Sequence, residues 1–449
     1  MLLTKTNIEV LPDNNFPHPF TIKCPKTIYS TIRTQSPCFL SFGKQSLSVN
    51  MTEGKDGVEI SETIAELISF PTETMALQAG IDETSNTLVI GPVFAALAAE
   101  TSNLEAPFGT LTAFFEEMAR YCSNHHIFFY VFSLKSYENN TIHGFRKDRN
   151  QWKKARMPFP HAIYNRIPGR KQEKSDETKL FFKTCNELDV PYFNERFLNK
   201  WEVYNGLCNH AEIAPHLPES ILYRKASDLD AMIQRHVSLY LKPIHGSLGR
   251  RIMRVQNDGN EYKVEYSGFS NEAKKISSLL ALLKIVIPRI KKQNYIIQQG
   301  IQTLSFKNRP VDFRILCNKD DTGQWKVTSS VARVSAENKF VSNLAMGGSL
   351  YRPEEILAHF FEPKQVQGLK KLLLELALQC VEIIEQESVG TYGEFGVDLA
   401  VDTDGKPWLL EINTKPSKTE ETIRMNSSIR PSAKAIVNFA SFLSGFEKI

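Results

Sequence analysis

The chain has 449 residues, 42% hydrophobic and 23% charged, the balance of a soluble globular protein too long for one ordinary core. A net charge of +4 is too small to argue for nucleic-acid or membrane partners. The 7 cysteines are scattered with no Cys-x-x-Cys pair, which favours reduced cytosolic thiols over a disulfide frame or zinc site, and no apolar run has the length of a signal peptide or spanning helix.

Along the chain, residues 1–85 hold short β-like runs (Phe20–Lys23, Phe39–Phe42, Leu47–Val49) broken by Pro, Asn and Gly, and predict a β-rich module without recognisable chemistry. Residues 86–190 change pattern. Thr87–Gly91 reads as a buried strand, Leu111–Tyr121 as an amphipathic helix and His126–Phe132 as another buried strand, the signature of a small α/β layer domain. Arg146–Arg156 is basic and reads as a solvated strand face and turn, with a site for an acidic substrate or partner as the alternative.

Residues 191–449 predict an α+β domain of antiparallel strands with helices. Ser238–Pro243 is a strand, Arg251–Val255 and Tyr262–Tyr266 form a hairpin, and 271–293 is a long helix frayed or kinked by Pro288. Strands follow at Asn294–Gln299, 311–317 and 325–334, then a helix from Pro363 to Ser388, a final hairpin, and a C-terminal helix near 432–444.

The final hairpin is the most informative segment. Placing its turn at Asp404–Gly405 pairs Val397 with Ile412, Leu399 with Leu410 and Val401 with Trp408 on an apolar face. On the other face Asp398 meets Glu411 and Gly396 meets Asn413. Two carboxylates at cross-strand distance repel unless positive charge lies between them, and carboxylates with an amide oxygen suit a hard divalent cation. Carboxylates splayed into water are the competing reading. Elsewhere, Lys242 ends a strand and precedes a loop with Gly246, Ser247 and Gly249, a weak phosphate signal because no P-loop pattern accompanies it. Arg314 and Arg333 lie within β-like runs. A cation, a phosphate loop and two guanidiniums in one domain match the needs of phosphoryl transfer.

The ordered series Asp312–Ile315, Val331–Arg333, Phe340–Gly348, Gly396–Asp398 and Glu411–Pro416 resembles the ATP-grasp superfamily, within it the RimK-like and glutathione-synthetase-like ligases. The layout, including Asn199–Trp201 and Leu217–Ser220, is similar to the YheC/YheD endospore-coat-associated ATP-grasp family. The resemblance implies an ATP-grasp fold over residues 191–449, with the nucleotide between two subdomains. It implies that Lys242 holds phosphates under a Gly246–Gly249 lid, with Lys200 as a second phosphate-side lysine. Gln298, Gln299 and Ile301 would form the adenine hinge, where many relatives carry a glutamate instead of the Gln298–Gln299 pair. Asp312 would bind ribose, Arg314, Arg333 and Asn343 would serve the γ-phosphate and acyl group, and Asp398, Glu411 and Asn413 would hold magnesium, or manganese in its place. The implied activity is ATP-dependent joining of a small-molecule or peptide carboxylate to an amine through an acyl phosphate. A kinase using the same fold and a nucleotide-binding coat scaffold without turnover are the alternatives. Cytoplasmic location, at the forming endospore coat with its proteins as partners, follows from the resemblance alone.

Overall fold

The short β runs at the N-terminus close on themselves. In the computed structural model, which describes residues 3–32, 37–246, 250–259, 261–267, 273–291, 293–336, 348–419 and 429–446, seven strands form a closed barrel. They are β1 (Thr4–Leu11), β2 (Thr21–Cys24), β3 (Cys38–Phe42), β4 (Gln45–Glu53), β5 (Val58–Ser61), β6 (Met75–Asp82) and β7 (Thr87–Ile90), in the order β1-β5-β2-β4-β3-β7-β6. Alternation turns Ile8, Ile22, Leu40, Phe42, Ile60, Leu77 and Leu88 inward, and all are buried. Thr87–Ile90, read from sequence as opening the α/β region, belongs to this barrel, pairing with β3 on one side and β6 on the other. A four-residue apolar run carries no mark of which sheet receives it.

The α/β layer follows with β8 (Val93–Leu97), β9 (Phe128–Phe132), β10 (Tyr137–Glu138), β11 (Thr141–Asp148), β12 (Gln151–Met157), β13 (Ala162–Asn165) and β14 (Tyr192–Phe193). Its centre, β9-β8-β13-β14, is parallel. The helix Thr112–Asn124 buries Phe114, Phe115, Met118 and Cys122 in the same cluster as Ile436, Val437 and Phe439 of the C-terminal helix Pro431–Leu443. Acidic side chains pair with much of the basic stretch: Arg146 with Glu73, Lys147 with Glu116, Lys153 with Asp148 and Lys154 with Glu100. That favours the strand-face reading over an acidic-partner site, because much of its positive charge is already matched.

Contacts divide the chain into two compact units: residues 1–196 with 319–324 and 427–449, and residues 197–318 with 325–426. The second unit contains two six-stranded sheets. One orders β15 (Ser220–Leu222), β16 (Ser238–Pro243), β17 (Met253–Asn257), β18 (Tyr262–Tyr266), β19 (Lys274–Ile276) and β20 (Tyr295–Gln299) as β15-β20-β16-β17-β18-β19, antiparallel throughout. The long helix expected over 271–293 is shorter, running Leu279–Ile290. Ser278 caps it, its Oγ accepting from the Ala281 N–H, and Lys274–Ile276 joins the sheet as β19. A cap therefore overrode the apolar periodicity that ran through it.

The other sheet contains β21 (Ser305–Phe306), β22 (Arg309–Lys319), β23 (Trp325–Val334), β24 (Ser349–Tyr351), β25 (Glu394–Val401) and β26 (Pro407–Asn413), with β24-β23-β22-β25-β26 in order and β21 beside β22. The helix Pro363–Glu387 covers it. Its residues Val366, Leu373, Leu376, Ala377, Cys380, Val381 and Ile384 recur at helical spacing and share a core with Val397, Leu399, Val401 and Ile412. Among the described residues no helix is long and apolar enough to cross a membrane.

Candidate functional site

The β25–β26 hairpin builds one wall of the candidate site. Asp398 pairs with Glu411 and Gly396 with Asn413, as the hairpin reading expects, but Leu399 pairs with Leu409 rather than Leu410, and Val401 with Pro407 rather than Trp408. Two offsets explain this. The loop is one residue longer than an Asp-Gly turn: the Asp402 N–H donates to the Lys406 carbonyl at 3.0 Å, with Gly405 at φ +84°. A bulge between Asp398 and Leu399 then absorbs one extra residue, Leu410, and restores the expected register at the site end. The Asp402 side chain stabilises the loop by accepting from the N–H groups of Asp404 and Lys406 and from the Trp408 indole.

Positive charge does face these carboxylates, and the protein supplies it. Arg314, paired with Asp398 across β22–β25, donates Nε and Nη2 to the two Asp398 oxygens, the latter at 2.9 Å. Arg333 on β23 donates Nε and Nη2 to Asp312 at 2.6 and 2.8 Å, and its Nη2 lies 3.2 Å from Asp398 Oδ1. The four side chains are all buried. Burial pushes the Asp398 carboxyl up, and the Arg314 and Arg333 guanidiniums more than offset it, so it stays below its ordinary range. The Asn413 amide donates to Asp398 Oδ2 at 3.4 Å. Gly396 is required here: a Cβ would lie 2.7 Å from Pro416 Cβ and 3.5 Å from Arg314 Cδ.

Two lysines complete the group: Lys242 lies on β16, and Lys200 opens a helix whose Val203 and Leu207 share a core with the β25–β26 hairpin. Lys200 is the first residue of the helix Lys200–Leu207, whose Asn199 cap and Glu202 form a capping box. Its ammonium donates to Glu411 Oε1 at 2.6 Å and to the Gly246 carbonyl at 3.0 Å. Lys242, at the end of β16, donates to Gln298 Oε1 at 2.6 Å, and Gln298 Nε2 donates to Ser220 Oγ at 3.0 Å. Burial pushes the Lys242 ammonium down to about 8. Nearby Lys200 pushes the same way, and Glu411 and Asp398 oppose it. Two lysines, two arginines, Asp398, Glu411 and Asn413 thus form one connected cluster.

At the expected hinge, the N–H groups of Gln299 and Gly300 donate to the carbonyls of Glu219 and Ser238 at 2.8 and 2.7 Å, and Ile301 follows directly after them. Gln299 Oε1 accepts from the Glu219 N–H at 3.1 Å. Asp312, expected at a ribose, instead braces Arg333 with both oxygens. Ser247, Gly249 and Asn343 lie outside the described residues.

Two contributors escaped the sequence reading. Glu219 and Ser220 anchor the hinge glutamines, and only their place in the Leu217–Ser220 string marked them. Lys418 and Glu394 form a buried ion pair, with Asn318 donating to Glu394 at 3.2 Å. The available signal was Glu394 at the same strand parity as Gly396 and Asp398.

The donor set fits a hard divalent cation. Among the described residues no group of three or more His, Cys, Asp or Glu side chains gathers for a metal, so the site offers two carboxylates and an amide. That number suits magnesium, which commonly takes one or two carboxylates and completes its shell with water and substrate phosphates. The contacts of Glu411 with an ammonium and of Asp398 with guanidiniums show that both carboxylates accept positive charge from this side.

Comparison with known proteins follows the same lines. Residues 189–443 match the family model described as YheC/D like ATP-grasp. The chain is 29% identical over 345 residues to the endospore coat-associated protein YheD of Bacillus subtilis, covering 74% of each chain. It is 23% identical over 268 residues to YheC of the same organism, covering 60% of this chain and 73% of YheC. Among solved structures, the D-alanyl-alanine synthetase A of Vibrio cholerae aligns with a TM-score of 0.44 at 13% identity, over 79% of this chain and 99% of that one. The chain belongs to the YheC/D-like ATP-grasp family and carries the ATP-grasp fold.

Proposed function

We propose that the protein is an ATP- and magnesium-dependent ligase that activates a carboxylate as an acyl phosphate for attack by an amine. The observation that carries this reading is the charge cluster: Asp398 faces Arg314 and Arg333, and beside it Lys200 touches both Glu411 and the Gly246 carbonyl at the start of the glycine loop. Such a concentration of fixed charges is suited to a triphosphate and to the charge that develops when its terminal group moves.

In this mechanism Lys242 and Lys200 bind phosphate oxygens, and the Gln298–Ile301 segment takes the adenine. Magnesium held by Asp398, Glu411 and Asn413 would neutralise charge on the β- and γ-phosphates. The substrate carboxylate oxygen attacks the γ-phosphorus and ADP leaves. The amine nitrogen then attacks the acyl carbon, and phosphate departs. Arg314 and Arg333 face the oxyanion of that second step, their planes set by Asp398 and Asp312, so the donors are in place before charge develops. Ser247, Gly249 and Asn343 belong to the proposed lid that keeps water from the acyl phosphate. Substrates are small-molecule or peptide acids and amines. By extension from YheD and YheC, the protein acts in the cytoplasm at the forming endospore coat.

The test is incubation of the full-length protein with ATP, magnesium and pools of amino acids, peptides and cell-wall precursors, reading phosphate release and product mass. The expected product joins an acid and an amine with loss of water, alongside ADP and phosphate. A stable phosphoester would replace the ligase reading with a kinase.

A further inference from the structure

The Lys200 ammonium occupies an unusual position. It lies on a carboxylate that the proposed mechanism gives to magnesium, and the same nitrogen holds the Gly246 carbonyl at the start of the glycine loop. Its backbone N–H donates to Ile244 at 3.1 Å, so Lys200 is fixed to that loop at two points. The Lys200 side chain is only 9% exposed, whereas Glu411 is 30% exposed and open to exchange. An ammonium and a divalent cation cannot both occupy the same face of one carboxylate oxygen at full strength, because each must displace the other's contact.

We infer that Lys200 is a built-in competitor for the metal position: its ammonium holds Glu411 while no nucleotide is bound, and moves to phosphate when nucleotide and metal enter together. The exchange orders binding. Metal alone meets an occupied carboxylate, and metal with a triphosphate brings Lys200 an alternative anion. This inference rests on the assignment of Glu411 as a metal ligand.

The test is titration of manganese, without nucleotide, into the full-length protein, followed by electron paramagnetic resonance of free manganese. Lys200→Met is expected to tighten nucleotide-free manganese binding by about two- to fivefold, the range that loss of a partly exposed ion pair allows. The same variant should weaken binding of a non-hydrolysable ATP analogue with manganese. Lys200→Arg, which keeps the charge, should bind manganese alone as the wild type does, and thermal melting verifies that both variants fold. Unchanged or weaker nucleotide-free binding in Lys200→Met overturns the inference. Glu411→Gln separates the two levels. Retained manganese–analogue binding in that variant overturns the metal assignment itself, whereas its loss, without tightening in Lys200→Met, overturns only the competition.

Discussion

Lys242 shows how one residue ties burial to ligand binding. Burial pushes its ammonium down to about 8 from the 10.5 of an ordinary lysine. The folded state therefore binds fewer protons than the unfolded state between these values, and this group favours folding progressively as pH rises through that window. In the proposed phosphate site, nucleotide would favour the charged form, so binding above about pH 8 would be accompanied by proton uptake. Calorimetry in buffers of different ionisation enthalpy should show ATP affinity falling as pH rises from about 7.5 to 9.5, and Lys242→Arg should flatten that dependence. A flat wild-type profile would remove Lys242 from the phosphate site. Asp312 makes a second residue-scale case. Removing it takes two carboxylate hydrogen bonds from the buried Arg333 guanidinium, which keeps its contact with Asp398. Asp312→Ala should cost about 3 kcal/mol of stability by urea denaturation, the low end of the range for breaking a buried pair. A loss below about 1 kcal/mol would mean that Asp312 does not hold Arg333 in solution.

At the scale of elements, the β25–β26 hairpin was largely legible because strand alternation and an Asp-Gly turn are strong local signals. Its site-facing pairs and the core pair Val397–Ile412 came out as expected, whereas Leu399 and Val401 took partners one residue away. The longer loop shifts the register by one residue and the Leu410 bulge shifts it back, and neither deviation is marked in a pattern of two adjacent leucines. Asp402→Ala should lower stability by about 1–2 kcal/mol, because two backbone N–H groups and the Trp408 indole lose an acceptor, without changing nucleotide affinity. Gly396→Ala should behave differently. The new methyl would force Pro416 to move, three residues from Asn413, so it should lower both stability, by about 1–3 kcal/mol, and nucleotide-dependent manganese affinity. The 271–293 helix was misread at its start because apolar periodicity continues through Ser278, which acts as the cap.

For the whole molecule, local motifs revealed more than long-range pairings did. Asp398, Glu411 and Asn413 could be grouped from one hairpin, and Lys242 from one strand and its glycine loop. The Arg333–Asp312 pair, Lys200 on Glu411 and the Glu394–Lys418 pair join residues distant in sequence, and no spacing announces them. The β barrel likewise closes through pairings between distant strands, such as β1 with β6. The consequence for function is that Glu411 already faces an ammonium and Asp398 two guanidiniums, positive charge of the kind a metal would bring. The account stands or falls on Glu411 acting with magnesium on the terminal phosphate of ATP. Magnesium-dependent phosphate release, measured with the acid–amine pair that the wild type joins, should fall by about 100-fold or more in a folded Glu411→Gln variant. Phosphate release at the wild-type rate in that variant would contradict it.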